Sequence, residues 1–224
     1  MALTDEELVE VPGMASRWVR LANGAKAHYM TSGESGPAII LLHGGIAGSS
    51  GTAGWRFMAP FLGGNGFRVY CPDQPGFGWA DTGEAHWPVA GTLSHVEFAK
   101  EFADALCLDR FFLAGNSMGA DNTLQFVMTY PERVIRYILI ATSSFGDNVD
   151  PSLRVPSTLT NRTTFDGTTE SMRAMIEPIV YRKAALSQDL LQMRTSAANR
   201  QKESQEALRL AREKIQSDPN MAQK

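Results

Sequence analysis

A set of short apolar runs separated by helical patterns limits this chain to very few folds. Ala38-Ile-Ile-Leu-Leu42 is continuous, with no position suited to solvent, as expected of a strand buried on both faces. Phe67 to Cys71, Phe111 to Ala114 and Val134 to Ala141 read as further strands. Ahead of them, Arg17 to Leu21 and Lys26 to Thr31 flank Asn23-Gly24, a hairpin signal. Helical patterns fall between. Val96, Ala99, Ala103 and Leu106 recur at helical spacing, and Leu124, Val127 and Met128 lead to a stop at Tyr130-Pro131. Strands alternating with helices predict an α/β fold whose sheet is mostly parallel and covered on both faces.

The character changes after about residue 145. Asp147 to Gly167 is rich in Asp, Pro, Ser, Thr and Asn and has no clear period. Three helices are expected beyond it, over Thr169 to Tyr181, Leu186 to Arg200 and Lys202 to Gln216, with no buried strand between them. The chain therefore divides into residues 1–145, the N-terminal part of the α/β core, and 146–224, a helical lid.

A net charge of −3 gives no electrostatic case for nucleic acid or an anionic membrane surface. No apolar stretch approaches the ~20 residues needed to cross a bilayer, and the N-terminus lacks a secretory pattern. A cytoplasmic location is expected, in which the sequon Asn161-Arg-Thr163 has no role. Cys71 and Cys107 form neither a disulfide framework nor a ligand set, and each reads as a small buried apolar residue. No cluster implies a metal or organic cofactor.

Gly115-Asn116-Ser117-Met118-Gly119 has the G-x-S-x-G pattern between a strand and a helix. A serine on such a turn presents its hydroxyl beyond the strand's carboxyl end, and glycines flank it because side chains there would strike neighbouring backbone. The following helix aims free N–H groups at developing negative charge. His43-Gly44-Gly45, directly after Leu42, is a turn that lets a backbone N–H meet a substrate oxygen and complete an oxyanion hole with the N–H of Met118. His43 itself reads as structural. Asp73-Gln-Pro-Gly-Phe-Gly78 is the third element.

Together these elements resemble the α/β-hydrolase superfamily up to Thr142. The elbow Gly-Asn-Ser-Met-Gly, with Ile179-Val-Tyr181 and Leu190-Leu-Gln-Met-Arg194, resembles the meta-cleavage-product hydrolases. These hydrolyse a carbon–carbon bond in dienoates formed by aromatic ring cleavage. The resemblance implies Ser117 as nucleophile, Gly45 and Met118 as oxyanion donors, Gly44 and Asn116 as substrate contacts, and Arg194 as binder of the dienoate carboxylate. It implies a small-molecule dienoate as partner and a place in aromatic catabolism. Related enzymes often carry another polar amide a few residues beyond the tryptophan of the glycine-rich loop. Here the chain reads Gly54-Trp55-Arg56-Phe57-Met58, which leaves the substrate's orientation on that side open.

Arg194 also stands out on its own helix. At 100° per residue it falls within the apolar arc of Leu186, Leu190, Leu191, Met193, Ala197 and Ala198, where a cation needs an anionic partner or a route to water. That partner is a substrate carboxylate, or Glu177 or another lid acid.

The fold's triad runs Ser, Asp or Glu, then His. His28, His43, His86 and His95 all precede Ser117. Asp147 and Asp150 read as loop acids, and Asp166 and Asp189 as lid surface or helix ends. The expectation is a fragment of a longer hydrolase, inactive alone, against a degenerate ligand-binding homologue or an esterase for small esters. Epoxide hydrolases and haloalkane dehalogenases place Asp where Ser117 stands. A sheet ending here leaves an edge for further chain or a homodimer to cover.

Overall fold

The computed structural model describes residues 10–142 and 164–217. Six strands form one sheet: β1 (Ala15–Arg20), β2 (Lys26–Ser32), β3 (Ala38–Leu42), β4 (Arg68–Pro72), β5 (Phe111–Asn116) and β6 (Val134–Ile140). Their spatial order is β1-β2-β4-β3-β5-β6. The β1–β2 and β2–β4 pairs are antiparallel, and β3–β4, β3–β5 and β5–β6 are parallel. Each predicted strand is present, with ends moved by no more than two residues. The hairpin closes at Asn23, whose Oδ1 accepts from the N–H of Ala25 at 2.9 Å.

The β3 strand lies between β4 and β5, so the chain leaves it first to one side and later to the other. Such a reversal opens a crevice beyond the carboxyl ends of the central strands. Gly44 follows β3 and Ser117 follows β5, which brings both to that crevice.

The helices are α1 (Gly51–Trp55), α2 (Met58–Gly64), α3 (Thr92–Ala105), α4 (Met118–Thr129), α5 (Thr169–Ile176) and α6 (Gln188–Ser217). One core lies on the α3 and α4 face of the sheet and includes Ile40, Leu42, Phe102, Phe111 and Phe126. A second, on the opposite face, joins Met30, Leu41, Val69 and Trp55. A third joins Met172 and Ile176 of α5 to Leu186, Leu190, Leu191, Met193 and Ala198, with Ala53 of α1. The predicted apolar stripe is thus buried.

Two expectations give way. The second and third lid helices are one continuous helix, because Arg200, Gln201 and Lys202 are all good helix formers and nothing between them breaks the ladder. The first ends early, at Ile176, just ahead of Pro178, with a single 3-10 turn over Glu177–Ile179. Cys71 is buried as expected, but Cys107 is exposed. It occupies the left-handed position that closes α3, with φ 53°, the N–H of Leu108 bonded to the carbonyl of Ala103 and its own to that of Asp104. Asp147, Asp150 and the sequon lie outside the described residues, as does the boundary near 145.

Among the described residues, β6 pairs with β5 alone, and its Ile135, Tyr137, Ile138 and Ile140 side chains are exposed. The expected open edge is present.

Asp73, directly after β4, joins several elements at once and is fully buried. One carboxylate oxygen accepts from the His28 ring on β2 at 2.8 Å and from the N–H of Trp79 at 2.7 Å. The other accepts from the N–H of Gly51, at the start of α1, at 2.6 Å. His28 continues the chain to Ser16 Oγ at 3.0 Å. Gly78, with φ 53°, lies so close that any Cβ there would overlap the carboxylate. Burial by itself raises the Asp73 pKa, but the neighbouring His28 and the N–H donors outweigh it and hold the carboxyl below its usual value. A depressed pKa stabilises the fold above the unfolded value of about 3.9, and this contribution disappears as pH falls through the folded pKa. Asp73→Asn is expected to lose about 3–5 kcal/mol at neutral pH and to show a shallower acid-side loss in urea unfolding followed by circular dichroism. Equal acid slopes for the two proteins would overturn this assignment.

Candidate active site

The chain reaches Ser117 from β5 and must turn at once into α4. Its backbone takes φ 53° and ψ −123°, strained for a residue with a side chain, at a typical cost of about 1–3 kcal/mol. Three features hold it there. The N–H of Ser117 donates to the carbonyl of Ile140 at 2.8 Å. A Cβ on Gly115 would overlap the carbonyl of Gly119, and one on Gly119 would overlap that of Leu42. The turn closes only with glycine at both places. The serine side chain is exposed.

The glycine turn after β3 packs directly on this elbow. A Cβ on Gly44 would stand 3.1 Å from Asn116 Oδ1 and 3.4 Å from Ser117 Cβ, and one on Gly45 would stand 2.7 Å from Met118 Sδ. Gly44, Gly45, Asn116, Ser117 and Met118 are therefore neighbours, drawn from two adjacent strands. Among the described residues no backbone carbonyl takes the N–H of Gly45 or Met118. Free amides at the mouth of a helix suit an oxyanion.

His43 is structural in detail. Its Nδ1 donates to the Gly44 carbonyl at 2.8 Å, and its Nε2 accepts from the N–H of Gln74 at 3.0 Å. Both nitrogens are occupied, which fixes a neutral tautomer. Burial, the largest influence, pushes its pKa down, against the opposing pull of Asp73. The side chain of Gln74 donates to the His43 carbonyl at 2.7 Å and accepts from Asn122 Nδ2 at 2.7 Å. This buried amide chain clamps the glycine turn after β3 to α4. No periodic signal marks Gln74 or Asn122 in the sequence.

The other histidines lie elsewhere. His28 is held by Asp73, His86 sits in a 3-10 turn, and His95 is buried in α3, its pKa lowered to about 4 by burial and then by His43 and Arg212. Among the described residues none hydrogen-bonds Ser117. Asp166 lies just ahead of α5, where it accepts from the N–H of its cap residue Thr168 at 2.9 Å, and bonds from Ser171 and Thr168 lower it to about 2. Asp189 is exposed in the first turn of α6. Both match the helix-end expectation.

Arg194 projects from α6 onto the loop after β3. Its guanidinium donates to the Ala47 carbonyl at 2.9 Å and lies 3.4 Å from Ser49 Oγ, while its buried Nε has no partner. Glu177 does not pair with it, and among the described residues no carboxylate does. Burial, aided by the like charge of Arg56, lowers its pKa to about 10. The neighbouring loop is pressed tight, since a Cβ on Gly48 would overlap the Arg194 carbonyl.

A cavity of about 750 Å³ lies beside this loop, bounded by Gly45, Ala47, Phe77, Ala197, Gln201 and Arg212 among others. It places Gly45, one oxyanion candidate, at the wall of a space large enough for a small organic ligand. On its far side Gln201 Nε2 donates to the carbonyls of Gly78 and Ala80, each at 3.0 Å, fixing α6 over the turn after β4.

Comparison with known proteins agrees with this geometry. Over 178 residues the chain is 33% identical to a 2-hydroxy-6-oxo-6-phenylhexa-2,4-dienoate hydrolase of Comamonas testosteroni, covering 79% of this chain and 61% of that protein. Over 203 residues it is 30% identical to a 2-hydroxy-6-oxononadienedioate/2-hydroxy-6-oxononatrienedioate hydrolase of Pseudomonas putida, covering 86% of this chain and 66% of that one. The chain thus spans somewhat under two thirds of the length of these relatives. The structure of a 2-hydroxy-6-oxo-6-phenylhexa-2,4-dienoate hydrolase from Rhodococcus superposes with a TM-score of 0.69 at 25% identity, over 87% of this chain and 71% of that one. The alpha/beta hydrolase fold family matches residues 37–202. With its elbow, its glycine turn and its mostly parallel sheet, the chain belongs to the α/β-hydrolase fold family and is related to the meta-cleavage-product hydrolases.

Proposed function

We propose that this chain carries the substrate-holding part of a serine hydrolase that cleaves a carbon–carbon bond in 2-hydroxy-6-oxo-dienoates. The observation that carries this reading is Arg194. A largely buried guanidinium with no carboxylate among the described residues, beside an oxyanion turn, suits a substrate that brings its own carboxylate. A neutral ester supplies no such group. The relatives named above act on dienoates of this kind by their names.

In the reaction, the dienol first shifts a proton to become a ketone, which turns the departing carbon into a stabilised carbanion equivalent. Ser117, or water, then adds to the ketone carbonyl. The N–H groups of Gly45 and Met118 receive the oxyanion, each donor typically contributing about 3 kcal/mol in such sites. Gly44 and Asn116 line the approach to Ser117, and Arg194 fixes the carboxylate end. The base for this chemistry is not among the described partners of Ser117, so the described residues hold substrate better than they turn it over. A soluble cytoplasmic enzyme of aromatic catabolism fits the reading.

The test uses a coloured 6-phenyl dienoate alongside p-nitrophenyl acetate. Saturable dienoate binding is expected in absorbance titrations, with any turnover abolished in Ser117→Ala. Arg194→Gln should weaken dienoate binding by roughly tenfold or more. Ester cleavage without dienoate binding would favour the esterase reading and overturn this one.

A further inference from the structure

Arg194 is not the only cation at this place. Arg56, at the C-terminal end of α1, is half-buried, and its guanidinium donates to the Ala53 carbonyl at 2.8 Å and lies 4.4 Å from the Phe57 ring centre. Among the described residues it too has no carboxylate partner. Ala53 of α1, whose carbonyl Arg56 holds, packs among Leu190, Leu191 and Met193 of α6, and burial first, then the like charge of Arg56, disfavour the protonated form of Arg194. Two neighbouring guanidiniums without a counter-ion repel each other and are costly to keep together unless an anion joins them.

Unpartnered polar atoms collect along the same contact. Thr52, four residues before Arg56 and so on the same helical face, is 1% exposed, and its Oγ1 has no hydrogen-bond partner. Buried Thr195 Oγ1, next to Arg194, also lacks one, as does Arg194 Nε. Buried polar groups are normally satisfied, and unpartnered atoms on both α1 and α6 suit a polar ligand or ordered water. One carboxylate offers about four lone-pair sites, enough to accept from two guanidiniums and a hydroxyl together.

We propose that Arg56 is a second carboxylate-binding residue, so that the substrate's carboxylate is held between Arg194 on α6 and Arg56 at the end of α1, with the Thr52 hydroxyl beside them. This rests on the reading that Arg194 meets a substrate carboxylate, and adds a specificity determinant on the core side of the site. Two uncompensated cations select an anionic terminus over a neutral one of the same shape, and the bound anion links the lid helix to the core.

The probe is sorbate, a non-hydrolysable conjugated dienoate, with sorbamide as its neutral counterpart, each titrated calorimetrically into the purified chain. Arg56→Gln is expected to weaken sorbate binding by roughly tenfold to a hundredfold, and Arg56→Lys by clearly less. The preference for sorbate over sorbamide should shrink by a similar factor. Arg56→Lys keeps the charge and stem, so it provides the comparison if Arg56→Gln fails to fold. Sorbate binding that is lost in Arg194→Gln but unchanged in both Arg56 variants overturns this proposal and leaves the Arg194 reading intact. Saturable sorbate binding absent from the parent chain overturns both.

Discussion

The buried carboxylate of Asp73 is the constraint on which the rest of the site depends. Taken from water without partners, such a charge would be prohibitive, so the surrounding chain is arranged to supply donors. His28 approaches from β2, Gly51 from the start of α1 and Trp79 from the turn after β4. Each donor fixes one segment that later touches the functional residues. The start of α1 sets the direction of the loop that carries Ala47 and of the helix that ends at Arg56. The turn after β4 supplies the carbonyls that Gln201 holds, and Gln74, next in sequence, clamps the glycine turn after β3 through His43.

The elbow depends on this frame in a different way. Ser117 stores backbone strain that its own hydrogen bond cannot offset fully, and the fold tolerates it because β3 and β5 lie side by side with glycine at each contact point. The strain and the close packing of Gly45 on Met118 have one cause. Two strand ends arrive at the same crevice, and the points where they touch leave room only for glycine.

Much of this was legible in the sequence, and the rest was not for identifiable reasons. The strands were readable because Ala38–Leu42 and its counterparts are apolar runs bounded by turn residues. The elbow was readable because its glycines and serine have fixed spacing between a strand and a helix. Helices α1 and α2 were not foreseen. They are short and carry Gly51, Gly54, Gly63 and Gly64, poor helix formers, and depend instead on the Ser50 cap and the burial of Trp55 and Ala59. Periodicity placed Arg194 on an apolar face, but its partners Ala47 and Ser49 lie some 145 residues away in sequence, a pairing that no local pattern encodes. For the same reason neither the proximity of Arg56 nor the amide chain through Gln74 and Asn122 was visible beforehand.

The continuity of α6 has a mechanical consequence. Arg194, Gln201 and Leu208 are spaced seven apart on one uninterrupted helix, each turned toward the core, and the helix itself is about 45 Å long. A rod of that stiffness cannot release one anchor while keeping the next in place. Its three attachments behave as rungs of a single ladder, so an event at the arginine end is felt two turns later by the glutamine. Gln201, at the wall of the cavity, therefore cannot shift on its carbonyls without moving Arg194 on its loop as well.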